Sequence, residues 1–262
     1  MGPVLGRLTG HASNVSVMGA VVERLRAAGC VCAEDEAAEL LAAAPDDATL
    51  DAWITRREQG EPLPWITGTM RFCSRTIHVD PGVYVPRFQS EELARRAAAV
   101  LPSRGRAVDL CTGAGAIAHH LRSAVLNSVV IGVDIDLRAV ACARRNGVTA
   151  IVGDVDAPLA ARSFDVVTAV APYVPTAELA YLPIDVQRHE PVVALDGGDD
   201  GLSVVRRVVC AAGRLLRSGG WLLIEVGGTQ DADLAPDLDR FASTVPWYDD
   251  EGDLRGIAAL HR

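Results

Sequence analysis

The order of hydrophobic and polar positions divides the chain into a helical part and an alternating part. VMGAVVERLRAAG (17–29) repeats apolar residues at helical spacing and stops at a glycine. EDEAAELLAAA (34–44) opens with acids, which suit the positive end of a helix, and DDATLDAWITRREQG (46–60) closes on arginines and Gly60. The next stretch, 61–86, carries prolines, glycines and β-branched residues that read as a hairpin connection. The expected organisation is a helical domain at 1–68, a hairpin linker at 69–86 and a larger domain at 87–262.

From Ser90 the pattern changes. SEELARRAAAVL (90–101) reads as a helix with Ser90 as its cap and acids in its first turn. Arg106–Cys111, Ser128–Asp134, Thr149–Gly153, Ser163–Val170 and Trp221–Gly227 are short apolar runs, the pattern of parallel strands buried on both faces. LRGIAALHR (254–262) closes the sheet after a solvated turn at Asp249-Asp250-Glu251. Helical segments separate most of these runs, so the large domain is predicted to be an α/β doubly wound sheet with right-handed crossovers.

Composition narrows the function classes. A chain of 262 residues with 49% hydrophobic content can bury a full core. The net charge is −9, with 25 basic residues, all Arg, against 34 acidic ones. That balance argues against direct binding of nucleic acid or of an anionic membrane. No run of 18 uncharged apolar residues offers a membrane span. MGPVLGRLTGHASN lacks the basic-then-apolar pattern of a signal peptide, and Gly6 stands where a myristoylation site needs Ser or Thr. Cys30, Cys32, Cys73, Cys111, Cys142 and Cys210 form no CxxC pair and have no His partner at zinc spacing. Reduced cysteines, no metal and a cytoplasmic protein are therefore expected.

The candidate chemistry starts at VDLCTGAGAIA (108–118), a strand, a tight glycine turn and a helix. Gly113 and Gly115 let a backbone approach a ligand where a Cβ would clash. Asp109 sits before the loop, where a carboxylate repels a pyrophosphate and attracts a ligand carrying an ammonium and a sulfonium. Asp134, nineteen positions past Gly115, ends the second strand and can accept both hydroxyls of a ribose. Asp154 ends the third strand and can meet an adenine amine, with Val155 against the ring face. Acids at three successive strand ends favour S-adenosyl-L-methionine over a nicotinamide dinucleotide. His119 and His120, in the helix after the glycine loop, read as one exposed and one packed side chain.

Several stretches together resemble the HemK-type protein N5-glutamine methyltransferases, which methylate glutamine in release factors and a ribosomal protein. They are RREQGEPLPWITG (56–68), VDPGVYVPR (79–87), DLCTGAGAIA (109–118), VDID (133–136), APYVPTAEL (171–179), HEPVVALDGGDDGL (189–202) and IEVGGTQ (224–230). The resemblance implies a seven-stranded, Rossmann-like class I methyltransferase domain behind a small helical domain that meets the substrate protein. It also implies that Cys111, Thr112, Gly113, Ala114, Gly115, Asp134, Ile135, Val155 and Val170 line the cofactor site.

Two departures mark this chain. The family's Asn-Pro-Pro-Tyr reads Val170-Ala171-Pro172-Tyr173 here. In the family the Asn oxygen and a proline carbonyl accept the hydrogen bonds of the glutamine amide, and Tyr packs over it. Val170 has no acceptor side chain, while Ala171 keeps its carbonyl. The second departure is Pro86-Arg87-Phe88-Gln89-Ser90-Glu91, where the family has Pro-Arg-Pro, an acid, Thr and Glu. Arg87, Phe88, Gln89 and Glu190 are the expected substrate-facing residues, and the loop from Val170 to Tyr173 is expected to position the acceptor nitrogen. Three readings follow: N-methylation of a protein glutamine, N-methylation of a small guanidine or amine, and cofactor binding without turnover.

Overall fold

The computed structural model describes residues 11–157 and 159–262. The expectation of neither a signal peptide nor a myristoylation site rests mainly on residues 1–10, which lie outside the described residues. The chain divides into two compact units, Met1–Thr67 and Gly68–Arg262.

The first unit contains helices α1 (His11–Ala27), α2 (Ala33–Ala43), α3 (Asp47–Glu58) and the short α4 (Leu63–Thr67). Val21, Leu25, Leu40, Ile54 and Ile66 close its small core. Asp46 starts α3 by accepting the Thr49 N–H at 2.8 Å. Arg24 of α1 reaches Glu58 of α3 at 2.7 Å, and Arg57 of α3 reaches Glu36 of α2 at 2.6 Å.

The second unit opens with a hairpin, β1 (Thr69–Phe72) and β2 (Arg75–His78), inside the stretch expected as a linker. Its two turn residues, Cys73 and Ser74, have φ of 47° and 62°, the left-handed geometry that a two-residue hairpin turn requires. Glu91 Oε1 accepts the Cys73 N–H at 2.9 Å and pins that turn.

Then follow α5 (Ser90–Val100), β3 (Arg106–Leu110), α6 (Ala116–Ala124), β4 (Val129–Asp134), α7 (Leu137–Arg145), β5 (Thr149–Val152) and β6 (Phe164–Ala169). The short α8 (Ile184–His189), α9 (Ser203–Leu215), β7 (Leu216–Glu225), α10 (Gln230–Leu238), β8 (Phe241–Tyr248) and β9 (Leu254–His261) complete the unit. The seven-stranded sheet has the order β5-β4-β3-β6-β7-β9-β8. Its first five strands are parallel, and β9 runs antiparallel to both β7 and β8. This is the doubly wound α/β sheet predicted from the alternation.

β8 was not legible in the pattern. FASTVPWY carries Pro246, which a strand tolerates at a sheet edge, and β8 is the edge. β7 begins at Leu216, five residues before the expected Trp221, and its pairing with β6 shifts register between Phe164 and Val166. Val108, Leu110, Val133, Val167, Leu222 and Ile224 from the strands pack with Val205, Val208 and Leu215 of α9. The chain leaves β3 for β4 and β5 on one side and then crosses to β6 on the other. That switch point leaves a crevice beyond the carboxyl ends of β3 and β6, the place where open α/β sheets take ligands.

Candidate functional site

The glycine loop between β3 and α6 is built from two glycines with different tasks. Gly113 has φ +55°, and a Cβ there would meet nothing within 4 Å, so its backbone faces open space. Gly115 has φ +79°, and a Cβ would lie 2.9 Å from the Ala143 Cβ and 3.0 Å from Val148. A side chain there would collide with α7, so Gly115 lets the loop pack closely against that helix. Cys111 and Val155 also take left-handed φ, 55° and 56°, without being glycine. Such backbone is costly for a β-branched residue and persists where surrounding structure enforces it. Nothing in the sequence flags either position, because neither residue type signals a turn.

Asp109 is 1% exposed at the end of β3. Thr112 Oγ1 donates to its Oδ2 at 2.6 Å, and Thr168 Oγ1 of β6 donates to its Oδ1 at 2.8 Å. Burial pushes its carboxyl up to about 6, with the two threonine hydroxyls acting against that. The Cys111 thiol is pushed up as well, by burial first and then by Asp134 and Asp109.

Asp134, at the end of β4, accepts the Gly113 N–H at 2.8 Å and the Asp136 N–H at 2.9 Å. It therefore holds the glycine loop in place with its remaining lone pairs on the cleft side. Burial raises its carboxyl, opposed by those two N–H groups. Asp154 is placed differently. Its carboxylate pairs with Arg207 at 2.7 Å and its side chain is 56% exposed, at the lip of the cleft.

Three cavities meet at this switch point. The first is lined by Asp134, Ile135, Asp154, Val155, Val193, Val204 and Pro172 among others. The second is lined by Arg87, Gln89, Ala171, Tyr173, Asp185, Glu225 and Arg255. A smaller one lies between Asp109, Thr112, Gly113, Ala114 and Phe72. Tyr84 and Val170 line all three. Val170, the first residue after β6, thus lies where the three cavities come together.

The loop carrying Val170 to Tyr173 is fixed from several sides. The Val174 N–H donates to Leu195 O at 3.1 Å, and Gly197 N–H donates to Val174 O at 2.8 Å. Asp196 Oδ1 accepts from Thr176 Oγ1 at 2.7 Å and from the Gly198 N–H at 2.9 Å. The APYVPTAEL and ALDGGDDGL stretches are therefore one structural element, the second serving as a brace for the first. Gln230 Nε2 donates to the Tyr173 carbonyl at 2.9 Å, while its Oε1 accepts the Gly227 N–H at 3.1 Å.

Glu225, the last residue of β7, escaped the sequence reading and is the buried acid of the second cavity, 5% exposed. It accepts from Tyr173 Oη at 3.0 Å and from Ser90 Oγ at 2.6 Å. Ser90 is therefore the first residue of α5 and not its cap, because its hydroxyl serves the buried carboxylate. Burial raises Glu225, with Ser90 and Tyr173 acting against it. The Tyr173 and Tyr84 hydroxyls are pushed well above the usual phenol range, by burial first.

Of the expected substrate-facing residues, Arg87 and Gln89 reach the second cavity. Phe88 is 76% exposed and lines none of the three cavities. Glu190 is turned inward, its side chain 2% exposed, paired with the Arg87 guanidinium and accepting the Val85 N–H at 3.4 Å. It holds Arg87, whose guanidinium lies 4.9 Å over the Tyr84 ring, and has no face on the cavity. Gly115 lines none of the three cavities. Among the described residues, no helix is long and apolar enough to cross a membrane.

Comparison with known proteins gives this geometry a family. A methyltransferase-domain family matches residues 107–185. A release factor glutamine methyltransferase of Mycobacterium tuberculosis is 36% identical over 223 residues, 79% of this chain and 73% of that one. The chain belongs to the release factor glutamine methyltransferase family. A release factor glutamine methyltransferase of Geobacter sulfurreducens is 38% identical over 180 residues, 66% of this chain and 63% of that one, so the match spans less than two thirds of that relative's length. A 16S rRNA methyltransferase of T. thermophilus, solved with AdoMet and guanosine, shares the fold at a TM-score of 0.53 and 17% identity, over 74% of this chain and 44% of that one.

Proposed function

We propose that this protein is an S-adenosyl-L-methionine-dependent N-methyltransferase acting on a protein glutamine side-chain amide, of the release-factor or ribosomal-protein type. The observation that carries the reading is the shared wall at Tyr84 and Val170, with a largely apolar cleft that holds Asp134 on one side and an acid-lined acceptor cavity on the other. The residues present suit the cofactor. Asp134 offers acceptors to ribose hydroxyls, Gly113 leaves room for close backbone approach, and Ile135, Val155 and Val193 give apolar walls for a flat ring. Asp109 places a carboxylate beside the smaller cavity, suited to a ligand's ammonium. When bound, the cofactor supplies an electrophilic methyl on a positively charged sulfur.

The protein's own contribution is orientation. An amide nitrogen is a poor nucleophile because its lone pair is delocalised, so the site must hold the NH2 group and aim the nitrogen. The braced loop keeps the Ala171 carbonyl and the Tyr173 ring in fixed positions around the acceptor cavity. Exposed Phe88, Tyr181 and Ile184 flank residues that line the cavity and suit a macromolecular acceptor. The helical unit before Gly68 is the natural contact for that substrate protein.

Val170 supports a second reading. With no side-chain acceptor at that position, a small guanidine or amine, more nucleophilic than an amide, needs less from the loop. The deciding experiment offers labelled S-adenosylmethionine with a Gly-Gly-Gln release-factor fragment, whole lysate protein and the small-molecule lysate fraction. Label on the glutamine is the expected result. Label only in the small-molecule fraction overturns the protein substrate, and no label anywhere overturns methyl transfer.

A further inference from the structure

Glu225 is a buried carboxylate in a cavity, held only by neutral donors. Ser90 Oγ and Tyr173 Oη each give it one hydrogen bond, one to each oxygen. The two guanidiniums that line the same cavity are engaged elsewhere, Arg87 with Glu190 and Arg255 with Asp249 and Asp253. Among the described residues, Glu225 forms no ion pair. A buried carboxylate oxygen has acceptor capacity for more than one donor, and leaving that capacity empty in a low-dielectric site is unfavourable. The neighbouring wall, Val170, offers no polar side-chain atom.

We propose that Glu225 is the acceptor-recognition group of the second cavity, accepting an N–H from the nitrogen group to be methylated. It supplies from the end of β7 the side-chain acceptor that the Val170 loop lacks. The proposal rests on the N-methyltransferase reading and narrows its chemistry: the cavity selects a group with N–H donors, such as a primary amide, over an isosteric carboxylate. The Tyr173 hydrogen bond then fixes the direction in which Glu225 presents its lone pairs. Burial raises this carboxyl, so recognition weakens on acidification as it takes up a proton. The groups facing it are Ser90 of α5, Tyr173 and Tyr84 from the loops, Arg87, and Arg255 of β9, while Asp185 lines the same cavity.

The test is calorimetric binding at saturating S-adenosylhomocysteine, so that turnover is not needed. The ligands are a Gly-Gly-Gln peptide, its Gly-Gly-Glu counterpart, guanidinium and methylammonium. The expected result is binding of the glutamine peptide, loss of about tenfold or more in Glu225→Gln, and S-adenosylhomocysteine affinity unchanged. A smaller loss overturns the proposal. The wild-type protein provides a check that needs no variant. Affinity for the glutamine peptide should fall on acidification, and should do so equally in Asp185→Asn; a flat profile, or a fall that vanishes in Asp185→Asn, overturns it. If wild type binds guanidinium or methylammonium in place of the peptide and Glu225→Gln loses that binding, Glu225 stands and the glutamine reading falls. Binding of none of the three N–H ligands overturns Glu225, while the labelled-methyl experiment decides the activity separately.

Discussion

The Tyr173 hydroxyl donates to Glu225 Oε1 at 3.0 Å, joining the loop after β6 to the end of β7 across the second cavity. The same Tyr173 is held at its carbonyl by Gln230. Tyr173 is therefore held at its side chain by the last residue of β7 and at its backbone by the first residue of α10.

Removing that hydroxyl should loosen the second unit without opening a cavity. Tyr173→Phe loses a hydrogen bond to a carboxylate, a change of about 1.5–3 kcal/mol, seen as a lower midpoint in urea unfolding. Unchanged stability would mean that Glu225 finds a replacement donor.

The two glycines of the loop should separate in function. Gly115→Ala places a Cβ against Ala143 and Val148 at a positive φ and should destabilise the protein by about 2–3 kcal/mol. Gly113→Ala meets no neighbour and should cost about 1 kcal/mol from its φ alone. It should nevertheless weaken S-adenosylmethionine binding, measured by calorimetry, because the new methyl occupies the open face.

Asp109 should give a pH dependence of unusual sign. Its carboxyl rises from 3.8 to about 6 on folding, so between those values the folded chain holds a proton that the unfolded chain has released. Its contribution to stability falls as pH rises through that window and is constant above it. The difference is on the order of 3 kcal/mol and should disappear in Asp109→Asn, compared by urea unfolding at pH 4 and pH 7. A cationic ligand beside Asp109 favours the ionised form, so cofactor affinity should increase over the same range.

The Val170 loop offers a gain-of-function test. Val170→Asn with Ala171→Pro adds the family's side-chain acceptor beside the one proposed at Glu225 and should raise kcat/KM on a glutamine peptide by less than about tenfold, against about ten- to a hundredfold for an amide N–H with no other acceptor. No gain would mean that the cavity already has its acceptor.

What the sequence determined by itself was local. The alternation of apolar runs with helices gave the doubly wound sheet, and position at a strand end gave Asp109, Asp134 and the Val170 loop, because strand period and glycine turns are properties of a few adjacent residues. The tertiary structure decided the partners. Ser90 reads as a helix cap locally, yet its hydroxyl goes to Glu225, 135 positions away. Glu190 reads as a substrate ligand, and the fold gives it to Arg87; Asp154 goes to Arg207, and Gly115 to the face of α7. A carboxylate has the same local signature whether it meets solvent, an arginine or a ligand. Which of these it meets depends on how far it is removed from water and what the crossing strands bring beside it, and only the assembled sheet sets both.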